Sequence, residues 1–306
     1  MAAHGPTAEM NLKQIEYFVR IAELGSLTKA ATLLSVAQPS LSKQVRLLEV
    51  ELRQYLLVRN GRGVSLTEEG TVFLKHARGV LDQLDRARHE ISDIKGSPTG
   101  KVVIGAPSTA GKGLIGRLVA AYKQRFPKAT LEIIEAKSWS IYEWILSGRI
   151  DIGILYDPRP SALIETIPMV QEEAFLITSP SKVSIPKSAR IPLRQLEKFP
   201  LILPSYPHTM RVLLETAAAR AGIKLDVTLQ VEGASFILEL VDQGYGCTVL
   251  ARHILEESTL FKRLQSNAIV RPHLSRTLAI AISSQRPVTH LARETFEMIE
   301  QYLKQA

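Results

Sequence analysis

Apolar positions recur at helical steps from about residue 12 to residue 95, and from Gly100 onward they gather into short β-branched runs separated by helical stretches. Between the two textures Gly96-Ser97-Pro98-Thr99-Gly100 cannot continue a helix and reads as a hinge over 96–100. In the first texture Leu12, Ile15, Phe18, Val19 and Ala22 share one stripe and predict a helix to Leu24, closed by Gly25 in the left-handed conformation. Ser26 then caps a short helix over 27–34 whose inner face is Ala30, Ala31 and Leu34. A turn at Ser35-Val36-Ala37 leads to a third helix with Pro39 in its first turn, where a missing N–H costs nothing. Leu41, Val45, Leu48 and Leu52 fix its buried side, and Ser40, Ser42, Lys43 and Arg46 occupy the other. A short helix with small inner residues, a tight turn and a polar-faced helix make a helix-turn-helix.

In that motif the second helix enters the major groove, so Ser40 and Ser42 are placed for bases or phosphates. Lys43 and Arg46 suit guanine edges or backbone phosphate. A plain three-helix core with one solvated face would show the same periodicity. The segment Leu57–Leu66 favours the first reading: two apolar runs flank a glycine-rich tip, with Arg59 and Arg62 where a wing would touch DNA. From Thr67 a helix to Ile94 is expected, with Glu68 and Glu69 complementing its positive end. Phe73, Ala77, Val80, Leu84, Ala87 and Ile91 repeat at alternating steps of four and three, a heptad seam that asks for a second helix like itself. Dimerisation is the expected use of that seam, with packing onto its own domain as the alternative.

After Gly100 the alternation of near-continuous apolar strands with helices predicts a parallel sheet with covered faces. Strands are expected at 101–105, 131–134 and 150–155, then at 201–203, 227–231 and 247–250, with 277–282 returning to the first sheet and a closing helix over 289–304. Ligands of such sheets sit beyond the carboxyl ends of strands, at helix starts. Ser108 and Thr109, Ser138 and Trp139, Ser205 and His208, and Phe236 with Ser235 all fall there. Hydroxyls and free N–H groups at positive helix ends favour an anion or carboxylate, with His208 and Arg211 adding charge and Trp139 or Phe236 walling a ring. Taken singly, each Ser or Thr would be an ordinary helix cap.

Ser26-Leu27-Thr28-Lys29-Ala30-Ala31, Gln38-Pro39-Ser40-Leu41-Ser42-Lys43-Gln44-Val45, Leu48-Glu49, Gly63-Val64, Leu66-Thr67 and Gly70 resemble the LysR-type transcriptional regulators over the whole chain. The resemblance implies an α+β multi-domain protein. Its parts would be an all-α winged helix-turn-helix over 1–66, a linker and dimerisation helix over 67–95, and an α/β two-lobed effector domain over 101–306 like the periplasmic binding proteins. It implies promoter DNA, a small-molecule effector and further copies of the chain, as a homodimer or homotetramer, for partners, with RNA polymerase as a candidate. No cofactor and no catalytic or metal residue is expected. Leu203-Pro204-Ser205-Tyr206-Pro207-His208 and Leu155-Tyr156-Asp157-Pro158 look most like the nitrogen-assimilation-control branch, a local similarity that carries no nitrogen signal.

Composition excludes more than it identifies. The single cysteine, Cys247, permits no intrachain disulfide and fits a reducing, cytoplasmic setting. No apolar run nears the roughly 18 residues that span a bilayer, and MAAHGPTAEM has neither a basic segment nor an apolar core for export. The net charge of +8 is spread unevenly: residues 1–100 hold 13 Lys/Arg and 11 Asp/Glu, and the remainder holds 25 and 19. The expected head is nearly neutral, so the placement of its cations matters more than their sum. An α/β enzyme with a fused DNA-binding head would need an acid–base pair, and none is evident. A sequence-independent nucleoid protein would need no effector cleft.

Overall fold

A computed structural model describes residues 10–61, 63–93, 100–110, 112–186 and 189–304. Arg62, Ile94 and positions 96–99 of the expected hinge lie outside the described residues. The chain divides into two compact units, one holding the residues up to Gly96 and the other most of the chain after it.

In the first unit α1 (Leu12–Leu24) opens on a capping box between Asn11 and Gln14 and ends at Gly25, whose φ of 58° is the left-handed turn expected there. The Ser26 hydroxyl accepts from the Lys29 N–H to start α2 (Leu27–Leu33), and α3 spans Gln38–Leu52 with Pro39 in its first turn. Phe18, Ile21, Ala30, Leu41, Val45 and Leu48 form the shared core. Ala30 is fully buried, and its single methyl lets α3 cross α2 closely. β1 (Leu57–Asn60) and β2 (Gly63–Leu66) form the antiparallel hairpin of the wing, in register Leu57 to Leu66. Leu12, expected inside, is 43% exposed, and Gln14 and Tyr17 take inner positions instead.

The long helix α4 (Glu68–Asp93) corrects part of the heptad expectation. Phe73 meets Phe18 edge to face at 5.2 Å, and Ala77 is buried, both within the core of the head itself. A seam of seven-residue period cannot tell a neighbouring helix of the same domain from a second copy, and the start of this seam faces the former. Val80 and Ile91, 45% and 67% exposed, stay uncovered together with Ala87, while Leu84 is half-buried.

The second unit has two lobes. β3 (Lys101–Ala106), β4 (Thr130–Glu135) and β5 (Ile152–Tyr156) are parallel, with α5 (Lys112–Arg125) and α6 (Ser138–Ser147) as crossovers. β6 (Ile164–Thr178) then runs out of this sheet into the second lobe. There its second half pairs with β10 (Thr248–Ala251) and β11 (Gln265–Val270), and β11 also pairs with the short β7 (Ile191–Pro192). β8 (Leu201–Leu203) and β9 (Val227–Gln230) pair beside α7 (Thr209–Arg220) and α8 (Ala234–Gln243). After α9 (Arg252–Glu256), β12 (Ser275–Ser283) returns to the first lobe, and α10 (His290–Lys304) closes the chain.

The first sheet is therefore mixed, not parallel, because β12 runs antiparallel to both β5 and β6. The outgoing and returning strands lie side by side, and a chain that leaves and comes back must reverse direction. The sequence signal of β6 is broken: residues 174–177 form an apolar run, but Glu172 and Glu173 precede it and Pro168 sits within the strand. The register slips beside Pro168, so the missing N–H falls at a bulge.

Candidate functional site

The polar face of α3 is open. Ser40, Lys43 and Arg46 are exposed, Ser42 is half-buried, and neither cation makes an ion pair among the described residues. The wing reaches this face: Arg59 Nη2 donates to Ser42 Oγ at 2.6 Å, which holds one wing cation beside the third helix. From behind, the buried Gln14 amide donates to Gln44 Oε1 at 3.2 Å and ties α3 to the capping box of α1. Glu23 joins the head to α4, with Arg20 at 3.0 Å and Arg78 at 3.1 Å from its carboxylate. A rigid scaffold thus presents Ser40, Lys43, Arg46 and Arg59 on one polar surface.

In the second unit a cavity of about 400 Å³ lies between the lobes. The starts of α6, α7 and α8 and a 3-10 turn over Ser108–Ala110 converge on it. α7 and α8 begin at His208 and Gly233 without a side-chain cap, which leaves their first N–H groups free for an anion. Of the expected ligand residues, Ser108, Thr109, Ser138, Trp139 and His208 line this cavity. Ser205 and Phe236 do not. Ser205 uses its backbone N–H on Glu232, and Phe236 is 61% exposed, its ring lying close over Gly233. Ser138 is partly spent, since its hydroxyl accepts from the Tyr156 N–H at 3.0 Å. A wider depression of about 1100 Å³ shares Trp139 and Pro207 with the cavity and extends along α7.

Beneath the cavity lies a polar network with no local signature in the sequence. Arg276, 1% exposed, places Nε and Nη2 at 3.1 and 2.9 Å from Glu172 Oε2, joining the returning strand to the outgoing one. Its guanidinium stacks 3.5 Å from the centre of the Tyr156 ring. The Tyr156 hydroxyl lies 2.6 Å from the Thr109 carbonyl and 3.0 Å from Glu172 Oε1. Burial pushes that phenol far above its usual range, so it acts as a donor. His253 Nε2 reaches the same Thr109 carbonyl at 3.0 Å. Arg276 meets Glu172 across 104 positions and His253 meets Thr109 across 144, and only folding reveals such contacts.

His208 is neutral at pH 7. Burial first, and the nearby Arg276 guanidinium second, push its imidazole down to about 4, and its Nδ1 has no hydrogen-bond partner among the described residues. At the mouth Lys137 Nζ lies 3.0 Å from Glu232 Oε1. Burial opposes ionisation of Glu232, but the Lys137 ammonium and the Ser205 N–H outweigh it and hold its carboxyl below the usual range. Cys247 is buried, and desolvation lifts its thiol to about 11, which makes it inert as a nucleophile. Among the described residues no cluster of His, Cys, Asp or Glu could hold a metal ion, and no helix is long and apolar enough to cross a membrane.

Comparison with known proteins agrees in both units. Residues 12–71 match the bacterial regulatory helix-turn-helix of the lysR family, and residues 95–304 match the LysR substrate binding domain. The nitrogen assimilation regulatory protein nac of Klebsiella aerogenes is 28% identical over 291 residues, 95% of this chain and 94% of that protein. Among solved structures, full-length CbnR in complex with its target DNA superposes with a TM-score of 0.73 at 21% identity, over 96% of this chain and all of that one. Full-length BenM gives 0.57 at 26% identity, over 96% and 97%.

Proposed function

The chain belongs to the LysR family of transcriptional regulators, a DNA-binding regulator with an effector domain and not an enzyme, and from that premise we propose that it answers to a small anionic effector, of carboxylate type, in the cleft between its lobes. The observation that carries this reading is the convergence of three helix starts and a 3-10 turn on one cavity, two of the helices without side-chain caps. Promoter DNA is read by residues 1–66 through Ser40, Ser42, Lys43 and Arg46, with Arg59 and Arg62 of the wing on the flanking backbone. Residues 67–95 pair with a second copy through the uncovered Val80, Ala87 and Ile91 and the half-buried Leu84, which gives a two-fold protein for a two-fold site. Residues 101–306 hold the effector, and the protein works in the cytoplasm as a dimer or a tetramer. The similarity to a regulator of nitrogen assimilation names no effector for this chain.

The test is a footprint on DNA upstream of the gene, with and without a panel of small carboxylates. A protected two-fold site whose pattern changes with one carboxylate supports the reading. Protection indifferent to sequence, or unchanged by every anion, overturns it.

A further inference from the structure

We propose that the Glu232 carboxylate is a built-in occupant of the effector's anion position, which a small carboxylate must displace from Lys137 and the Ser205 N–H. This rests on the reading that the cleft takes an anion, and it names where the anion sits. Lys137 stands just before α6 in the first lobe, and Glu232 just before α8 in the second. Lys137 Nζ at 3.0 Å and the Ser205 N–H at 3.2 Å converge on the same oxygen, Oε1 of Glu232. An ammonium and a backbone N–H aimed at one oxygen are the donors a carboxylate ligand needs, and the chain's own acid fills the place.

Charge around the cavity makes exchange the route of entry. Among the described lining residues Lys137 is the one cation, Glu135 and Glu232 are anions, and His208 is neutral. An anion arriving beside an intact Lys137–Glu232 pair would meet two carboxylates and no free cation. Replacing Glu232 gives it the ammonium and the N–H, and moves one negative charge out to water. The pair suits that exchange because it is weak: Lys137 and Glu232 are 43% and 46% exposed. It also crosses the cleft, so its loss removes a link between lobes at the moment of binding.

The reporter is Trp139, which lines the cavity two residues from Lys137 and is 51% exposed. In the full-length chain carrying Trp144→Phe, its fluorescence is titrated with acetate, malonate and succinate at fixed ionic strength. In this background Glu232→Gln binds at least one of them about three- to fivefold tighter than the unaltered site, Lys137→Met loses binding, and the double variant is no tighter than Lys137→Met. Melting curves matched to the parent confirm that the variants are folded. Equal or weaker binding by Glu232→Gln, with the parent still binding carboxylates, overturns the displacement and leaves the anion reading standing. Quenching by methylammonium that Glu232→Gln abolishes, with no carboxylate effect on any variant, overturns both.

Discussion

Arg78–Glu23 in the head and Arg276–Glu172 under the cleft are the same chemical pair at nearly the same distance, 3.1 and 2.9 Å. Water separates them. The head's pair is about one-third exposed on each side, and the cleft's pair is 1% and 8% exposed. In the first, solvent screens the charges and would rehydrate either one left alone. In the second, each charge depends on the other, on Tyr156 and on the strands that carry them. The head keeps Lys43, Arg46 and Arg59 on the outside of an apolar core, whereas the effector unit builds ionised groups into the junction of its lobes.

The widest break of this comparison is Arg276→Leu. It leaves the Glu172 carboxylate buried without its cation, and the expected loss is about 3–5 kcal/mol, read in urea unfolding of the full chain. Arg276→Leu with Glu172→Leu should recover most of that loss, because the cost comes from the orphaned charge more than from the missing contact. A double variant as unstable as the single would show that the strands need the ion pair itself.

Next in size is the pH dependence of His208. Its folded value near 4 lies below the ordinary 6.5, so between those values the unfolded chain binds a proton that the folded one refuses. Stability from this group is complete above pH 6.5 and falls as pH drops toward 4, by an amount on the order of 2–3 kcal/mol. His208→Gln should flatten that part of the profile relative to the parent, and parallel profiles would reassign the slope to carboxylates elsewhere.

The same contrast explains what could be read from the sequence. In the head, Leu41, Val45 and Leu48 recur at helical steps, so the face holding Ser40, Lys43 and Arg46 follows by subtraction. Gly25, Ser26 and Pro39 mark boundaries through local backbone chemistry, and local chemistry is legible. In the effector unit the helix starts were legible for the same reason, which located Ser108, Thr109, Ser138, Trp139 and His208. Lys137, Glu232, Glu172 and Arg276 were not, because their partners lie 95 and 104 positions away and neither lies in a pattern of its own. Phe73 and Ala77 were misread in the opposite sense: their period was right, and their partner was the head's own core.

Two further changes probe the head alone. At Gly70 an added Cβ would lie 2.0 Å from the Leu56 carbonyl oxygen, where α4 leaves the wing. Gly70→Ala should cost about 1–3 kcal/mol and weaken DNA binding, while the response of Trp139 to carboxylates stays unchanged. Arg46→Ala should weaken binding to the specific site by about 1–3 kcal/mol if the side chain reads a base. Equal losses on specific and random DNA fragments would assign it to phosphate instead.

The smallest effect returns to the exposed pair. Glu23→Ala removes the carboxylate between Arg20 and Arg78, yet both guanidinium groups keep access to water, so the stability change should stay below about 1 kcal/mol. The pair nevertheless joins α1 to α4, residues 55 positions apart, and so bears on how the long helix leaves the head. Unfolding and operator affinity measured on the same Glu23→Ala protein separate these roles. Unchanged stability with weakened affinity for a two-fold site, but not for a half-site, would mean that the pair sets the direction of α4 and hence the spacing of two heads. A loss near that of Arg276→Leu would remove the contrast, because a screened surface pair would then cost as much to break as a buried one.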